Sequence, residues 1–183
     1  FAPPQIGPAN LLYGRPTGYS ATMVGIPYDA LERWRGPYPP QIFADQFRKV
    51  ANGWAEGLIN LEQTQGLVPM ELREAARADL RIAQAAHIHF ASVANQIQYV
   101  MARDALLVTQ DLTEVAELRQ SLLESIDREI ALARRMFELA SADSRIGYEA
   151  SNHYFYVPLD LVEKVINCEY LKTELGPARK STR

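Results

Sequence analysis

Apolar and polar residues alternate at helical spacing through the middle of the chain. From Met70 to Ile146 the sequence contains neither glycine nor proline. Within this stretch a first set of positions recurs at steps of three or four, which places their side chains on one face of a 3.6-residue helix. These positions are Leu72, Ala76, Leu80, Ala83, His87, Phe90, Ala94, Ile97, Met101, Ala105 and Val108. The pattern predicts an amphipathic helix of about 40 residues, roughly 60 Å long.

A second run repeats this pattern after a short polar interruption. The segment from Thr109 to Thr113 offers polar capping residues, and Glu114 places a negative charge near the start of the next helix. The apolar positions that follow are Val115, Leu118, Leu122, Ile126, Ile130, Ala133, Phe137 and Ala140. Because the connection is short, the two long helices are expected to be antiparallel neighbours.

Two shorter helices are predicted on either side. The first runs from Pro40 to about Gln65, and its Gly53 and Gly57 are interpreted as admitting close approach of another helix. The last is opened by Pro158 and covers Leu159 to Leu171. Its predicted apolar face consists of Leu161, Val162, Val165, Ile166 and Leu171. The fold class is therefore predicted to be all-α, an antiparallel bundle of about four helices with two long central helices.

Residues 1–39 are predicted to form an irregular arm rich in proline, glycine and aromatic residues. The aromatic residues suggest that the arm packs on something, either its own helices or a neighbouring domain. The predicted organisation is an arm at 1–39, a helical bundle domain at 40–175 and a basic tail at 176–183.

Composition excludes several classes of function. The net charge of -3 and the lack of a long basic run disfavour nucleic-acid binding, and no uninterrupted apolar segment is long enough to span a membrane. Because the chain begins with Phe1, we expect it to be a fragment of a larger polypeptide. The lone Cys168 excludes an internal disulfide.

The sequence offers no metal or cofactor motif. His87 and His89 are two residues apart, so on a helix they point in nearly opposite directions. His87 is interpreted as a hydrogen-bonded core residue, and His89 as lying on the other side of a helix that is buried all round. Cysteine and histidine spacings for zinc, phosphate-binding glycine loops and the nucleophilic serine elbow are absent. We expect no cofactor and no metal.

Four polar residues lie in or beside the apolar part of the first long helix: Asn95, Gln96, Arg103 and Asp104. Buried polar groups need partners, so the simplest interpretation is a network of hydrogen bonds and ion pairs between helices. The functional alternative places Asn95 and Gln96 in a ligand cleft.

The segment from Ala142 to Pro158 has the densest collection of chemically capable side chains. The predicted substrate-binding residues are Arg145, Glu149, Asn152, His153 and Tyr154. Aromatic faces stack on sugar rings while polar side chains bind hydroxyls, so this mixture suits a polar, ring-shaped ligand. Glu149 is a possible acid or base, with His153 one turn away if the segment is helical. The alternative is that the aromatics cap the bundle and Arg145 pairs with Asp143 or with the C-terminus of a helix.

Several strings carry a resemblance to a known class of protein. They are Trp34 to Pro40 with Gln46, Trp54 to Leu58, His89 to Ile97 with Arg103 and Asp104, Asp143 to Tyr156, and Glu163 to Cys168. Together they resemble the helical region that follows the catalytic barrel in large bacterial glycoside-hydrolase-like proteins. The resemblance implies a (β/α)8 barrel as partner, a loop of this domain beside a sugar cleft, and a periplasmic or extracellular location. No catalytic residue of that class maps here, so the chain alone is expected to be inactive.

Three functions are therefore considered. The first is a non-catalytic helical accessory domain that packs on a catalytic barrel and contributes a loop to sugar binding. The alternative is a free-standing helical module that binds protein through its aromatic arm. A third is a small-molecule sensor with its ligand between the helices, near His87, Asn95 and Gln96.

Overall fold

The computed structural model describes residues 6–20, 26–149 and 153–176. Within them four α-helices follow one another, each packed against the next. Their bounds are α1 Pro40–Thr64, α2 Arg73–Val108, α3 Leu112–Ala142 and α4 Pro158–Leu175. Short 3-10 turns occupy Leu31–Arg33, Gln65–Leu67 and Met70–Leu72. The fold is an all-α bundle, as the spacing of the apolar residues predicts.

The break between the two long helices lies between Val108 and Leu112, which confirms the prediction of a break near Thr109 to Thr113. The Asp111 carboxylate accepts a hydrogen bond from the backbone N–H of Thr113 at 2.8 Å, and it accepts a longer one from Glu114 at 3.4 Å. These bonds satisfy donors that the first turn of α3 cannot pair within the helix. A local capping signal thus ends one helix and starts the next.

Removing this cap should destabilise the protein moderately. We expect Asp111→Ala to lower the free energy of unfolding by about 1 kcal/mol, the usual cost of losing a capping carboxylate. Urea denaturation measures this change. Glu117→Ala, at an exposed position of the same helix, is the control and should change stability by less than about 0.5 kcal/mol. Equal effects of the two substitutions would contradict the capping role.

The apolar stripe of α2 is only partly buried. Six consecutive residues, Ser92 to Ile97, are buried, so the middle of the helix is covered on every side. The stripe's outer members Leu72 and Val108 are exposed, because they lie at the two connections where neighbouring helices end. His87 is half-buried, so its interpretation as a core residue is wrong. His89 is also half-buried.

Two predictions about the shorter helices are also wrong. A Cβ added at Gly53 or Gly57 would meet nothing within 4 Å, so neither glycine admits close approach of another helix. In α4, Val162 and Ile166 are exposed, because α3 and the arm cover only one side of the helix. The buried face of α4 consists of Leu161, Lys164, Cys168 and Leu171.

The described part of the arm packs on its own helices. Ile6 and Leu12 are buried in the core with residues of all four helices. Gln96 of α2 donates to the carbonyl of Gly7 at 2.7 Å. Asn167 of α4 accepts from the Leu12 N–H at 2.8 Å and donates to the Leu12 carbonyl at 3.0 Å. Helix side chains therefore hold the backbone of the arm, and the arm completes the core.

A fully buried ion pair lies beneath the arm. Lys164 of α4 and Glu129 of α3 are 3.0 Å apart, and both side chains are 0% exposed. Ser92 donates to the Glu129 carboxylate at 2.9 Å, and Asn95 donates to it at 2.8 Å. Lys164 also donates to the Asn10 carbonyl of the arm. The predicted interhelical network is confirmed for Asn95, and it joins three helices to the arm.

Arg103 connects a second part of the arm to α2. Its buried guanidinium donates to the carbonyl of Asp29 at 2.6 Å and to that of Tyr13 at 3.3 Å. It also forms an ion pair with Asp104 at 2.8 Å, within α2 and not between helices. Segments of the arm that are separate in sequence are thereby fixed to one helix.

The single cysteine is part of the core. Burial raises the pKa of the Cys168 thiol to about 12, so the thiol is protonated and unreactive in the folded protein.

Within the described residues, no helix is both long and apolar enough to cross a membrane.

Candidate functional site

A short hairpin follows α3 and precedes α4. Its strands are β1 Tyr148–Glu149 and β2 His153–Tyr154, and they pair antiparallel with Glu149 opposite His153. These two residues are therefore cross-strand partners in a hairpin, so the helical arrangement that would place them one turn apart is not formed. Gly147 begins the hairpin with φ of +90°, a backbone conformation that residues with a Cβ rarely adopt.

The hairpin forms one side of a cavity of about 550 Å³. The arm, the first half of α2 and the start of α4 form the other sides. The apolar and aromatic lining comes from Ile6, Ala9, Ile82, Ala85, Ala86, Phe90, Ile146, Tyr148, Phe155 and Tyr156. The polar lining comes from Asn10, His89, Arg145, Asp160 and Glu163. The cavity thus joins segments from residue 6 to residue 163 and exists only in the folded chain.

Aromatic side chains give the cavity its shape. Phe90 extends from α2, and its ring packs edge-on against Trp54 of α1 with centroids 5.2 Å apart. Tyr148 and Phe155 lie at the mouth, where both are exposed, whereas Tyr156 is half-buried. Burial raises the pKa of Tyr156 to about 12, so its hydroxyl is neutral at physiological pH. The wall offers flat apolar surfaces and phenolic hydroxyl groups.

Arg145 lines the cavity, and it is the one predicted site residue whose side chain lies in the described part of the chain. Its guanidinium donates to both carboxylate oxygens of Asp143, at 2.9 and 2.6 Å, so the ion pair expected under the alternative, structural interpretation of this segment is confirmed. Hydrogen bonds from Arg145 hold the pKa of Asp143 well below its usual range. The pair therefore stabilises the fold at neutral pH, and this contribution is lost only as the pH falls below about 4.

The start of α4 contributes two carboxylates to the lining. The Asp160 carboxylate accepts a hydrogen bond from the Val157 N–H at 2.8 Å and so fixes the first turn of the helix. Glu163 is exposed and lies one turn further along. Both groups accept hydrogen bonds, which suits a ligand that carries hydroxyl groups. The carboxylates and Arg145 give the polar lining both acceptors and a cation.

The arm is in close contact with α2 beside the cavity. A Cβ at Gly7 would lie 2.8 Å from Nδ1 of His89, so only glycine fits at this position without a shift. The Gly7 N–H donates to the Asn10 side chain at 2.6 Å and closes a tight turn. The turn presents Ile6, Ala9 and Asn10 to the cavity. Docking of the arm therefore determines one wall of the site.

The remaining predicted site residues are less fully described. Glu149, His153 and Tyr154 are placed by their backbone in the hairpin, and Asn152 lies outside the described residues. Sequence reasoning did not predict Phe90, His89, Asp160 or Glu163 as site residues. The spacing of Asp160 and Glu163 beside Pro158, at the start of a helix, was the available signal. Among the described residues, no group of three or more histidine, cysteine, aspartate or glutamate side chains is arranged to hold a metal ion.

Gln96, considered for a ligand cleft, instead serves the buried network. Its side-chain N–H group donates to Gly7, to Ser92 at 2.9 Å and to Glu129 at 3.2 Å. Neither Asn95 nor Gln96 lines the cavity.

Comparisons with protein families, with curated proteins and with solved structures find no significant match to this chain. The properties of the site are therefore the basis for its function.

Proposed function

We propose that this chain is a non-catalytic helical accessory domain of a larger carbohydrate-active protein, and that its cavity binds a saccharide. One observation supports saccharide binding: the cavity of about 550 Å³ has exposed aromatic side chains and hydrogen-bonding groups in its lining. Pockets for small molecules commonly have volumes of about 300–1,000 Å³. The volume is therefore suited to a ligand of one or a few sugar rings.

The chemistry of the lining supports this ligand class. A sugar ring presents C–H groups on its faces and hydroxyl groups around its edge. Tyr148 and Phe155 supply flat surfaces for the faces, whereas Asp160, Glu163 and Arg145 supply acceptors and donors for the edge.

The accessory role rests on other grounds. The strings from Trp34 to Pro40 and from Asp143 to Tyr156 support it through their resemblance to the helical region beside a catalytic barrel. No motif for nucleophilic, metal-assisted or phosphoryl-transfer catalysis occurs in the sequence. On this proposal the domain binds sugar next to a partner that performs the chemistry.

Truncating Phe155 tests saccharide binding. We expect Phe155→Ala to weaken the affinity for the best-bound oligosaccharide about tenfold, because aromatic stacking contributes about 0.5–1.5 kcal/mol in addition to the buried area. Isothermal titration calorimetry of the chain with a panel of neutral and acidic oligosaccharides measures the change.

The matched control is Phe137→Ala. Phe137 of α3 is 40% exposed, Phe155 is 41% exposed, and Phe137 does not line the cavity. The control should bind the same saccharide as the unmodified chain does. If no saccharide in the panel binds, or if both variants lose affinity equally, saccharide binding at this cavity is wrong.

A further inference from the structure

The outer face of α4 carries a row of exposed apolar side chains. Leu159 is 72% exposed, Val162 39%, Ile166 65% and Tyr170 60%. Steps of three, four and four residues place them on one side of the helix, away from Leu161 and Cys168 in the core. We call these four residues the α4 stripe. Contiguous apolar patches of this kind are uncommon on monomeric proteins and mark interaction surfaces.

The α4 stripe is bordered by acidic residues. Glu163, Glu169 and Glu174 are all exposed on the same side of the helix. The two basic residues of α4 do not offset this charge: Lys164 is buried against Glu129, and Lys172 pairs with Asp127 of α3 at 2.6 Å. The face is therefore apolar along its centre and negatively charged at its borders.

We propose that the α4 stripe docks on a protein surface whose apolar side chains are bordered by lysine or arginine. For its biological setting this inference rests on the proposed function, in which the chain works beside a larger protein. Opposite charges around a desolvated apolar centre steer the partner and favour the correct orientation. A second copy of this chain is the wrong partner, because two acidic borders would face each other.

The position of the stripe relates the partner to the cavity. Asp160 and Glu163 line the cavity, and Leu159 and Val162 lie between and beside them in the first turns of α4. A partner docked on the stripe therefore borders the cavity mouth. This arrangement lets a ligand contact both proteins at once.

Two synthetic peptides test the charge and the apolar centre separately. Both form amphipathic helices with the same leucine pattern, but one has lysine at its polar positions and the other has glutamate. We expect the lysine peptide to bind the full chain at least tenfold more tightly in fluorescence anisotropy, and its affinity to fall as salt is added. Charge reversal by the double substitution Glu169→Lys and Glu174→Lys should reverse the preference between the two peptides.

Ile166→Ser removes an apolar side chain at the centre of the stripe and should weaken the lysine peptide about tenfold. Ile59→Ser is the matched control, since Ile59 on α1 is 55% exposed, and it should leave the affinity unchanged. Both positions are exposed, so both variants should retain the circular dichroism spectrum of the unmodified chain.

Several results would overturn the proposal. Equal binding of the two peptides would exclude charge selection, and equal effects of the two serine variants would exclude this face. Self-association in sedimentation experiments that Ile166→Ser abolishes would identify a second copy as the occupant. Titrating the unmodified chain with both ligands keeps the two proposals separate: the stripe fails if the chain binds a saccharide but not the lysine peptide, and the cavity fails if it binds the lysine peptide but no saccharide.

Discussion

Replacing Lys164 by alanine is expected to lower the free energy of unfolding by about 3–5 kcal/mol, because the substitution leaves Glu129 charged and buried without its cation. Both side chains are 0% exposed. The substitution also removes a donor from the Asn10 carbonyl, so we expect the arm to loosen. Urea denaturation measures the loss of stability. Labelling of Cys168 by a thiol reagent reports opening of the core nearby.

Lys172→Ala provides a matched control on the same helix. Lys172 also pairs with an acidic residue of α3, but its partner Asp127 is 59% exposed. Solvent screens an exposed ion pair, so the control should lose far less stability than Lys164→Ala does. Removing both buried charges together, by Glu129→Gln with Lys164→Met, should cost less than Lys164→Ala alone. Similar losses of stability for Lys164→Ala and Lys172→Ala would contradict the expectation that burial makes the Lys164–Glu129 pair more costly to break.

Gly147→Ala is expected to disrupt the hairpin and the cavity. The residue has φ of +90°, and an added Cβ would collide with the carbonyl oxygen of Tyr156 and lie 3.1 Å from the Tyr156 ring. Backbone strain of this kind costs about 1–3 kcal/mol, and the collision adds to it. We expect faster hydrogen exchange at the Phe155 amide, which donates to the Gly147 carbonyl at 2.8 Å, and loss of ligand binding at the cavity.

Gly36→Ala separates the effect of backbone strain from the effect of the Cβ collision. Gly36 also has positive φ, +63°, but a Cβ there would meet nothing within 4 Å. This variant should lose about 1–2 kcal/mol from backbone strain alone, with no change in exchange at Phe155. If Gly147→Ala behaves like Gly36→Ala, the hairpin tolerates a Cβ and the close contact does not fix its shape.

Each of these two sites supports one wall of the cavity. Lys164 holds the arm at Asn10, and Gly147 places the hairpin against Tyr156. The arm and the hairpin each supply one wall, and helices α2 and α4 supply the others. The cavity depends on the core that holds the arm in place. A variant that loosens the arm should therefore also lower the affinity of the cavity for its ligand.

Local signals determined the helices. The glycine-free and proline-free stretch from Met70 to Ile146 gave the two long helices, and Asp111 marked the boundary between them. Pro40 and Pro158 marked the first residues of α1 and α4. These signals act within one or two turns of the chain, so they can be recognised without knowing what packs against them.

The sequence by itself determined the all-α class and the order of the helices, whereas it left Asn95 open between a buried network and a ligand cleft. Only the tertiary structure decided which apolar faces are covered. Val162 and Ile166 follow the same helical spacing as Leu161 and Val165, yet they are exposed because no described element packs on that side of α4. The cavity also required the fold, because Gly7, Phe90, Arg145 and Asp160 are distant in sequence and meet only through packing. Helical periodicity is a local property, whereas burial and site geometry depend on long-range contacts that no single stretch of sequence encodes.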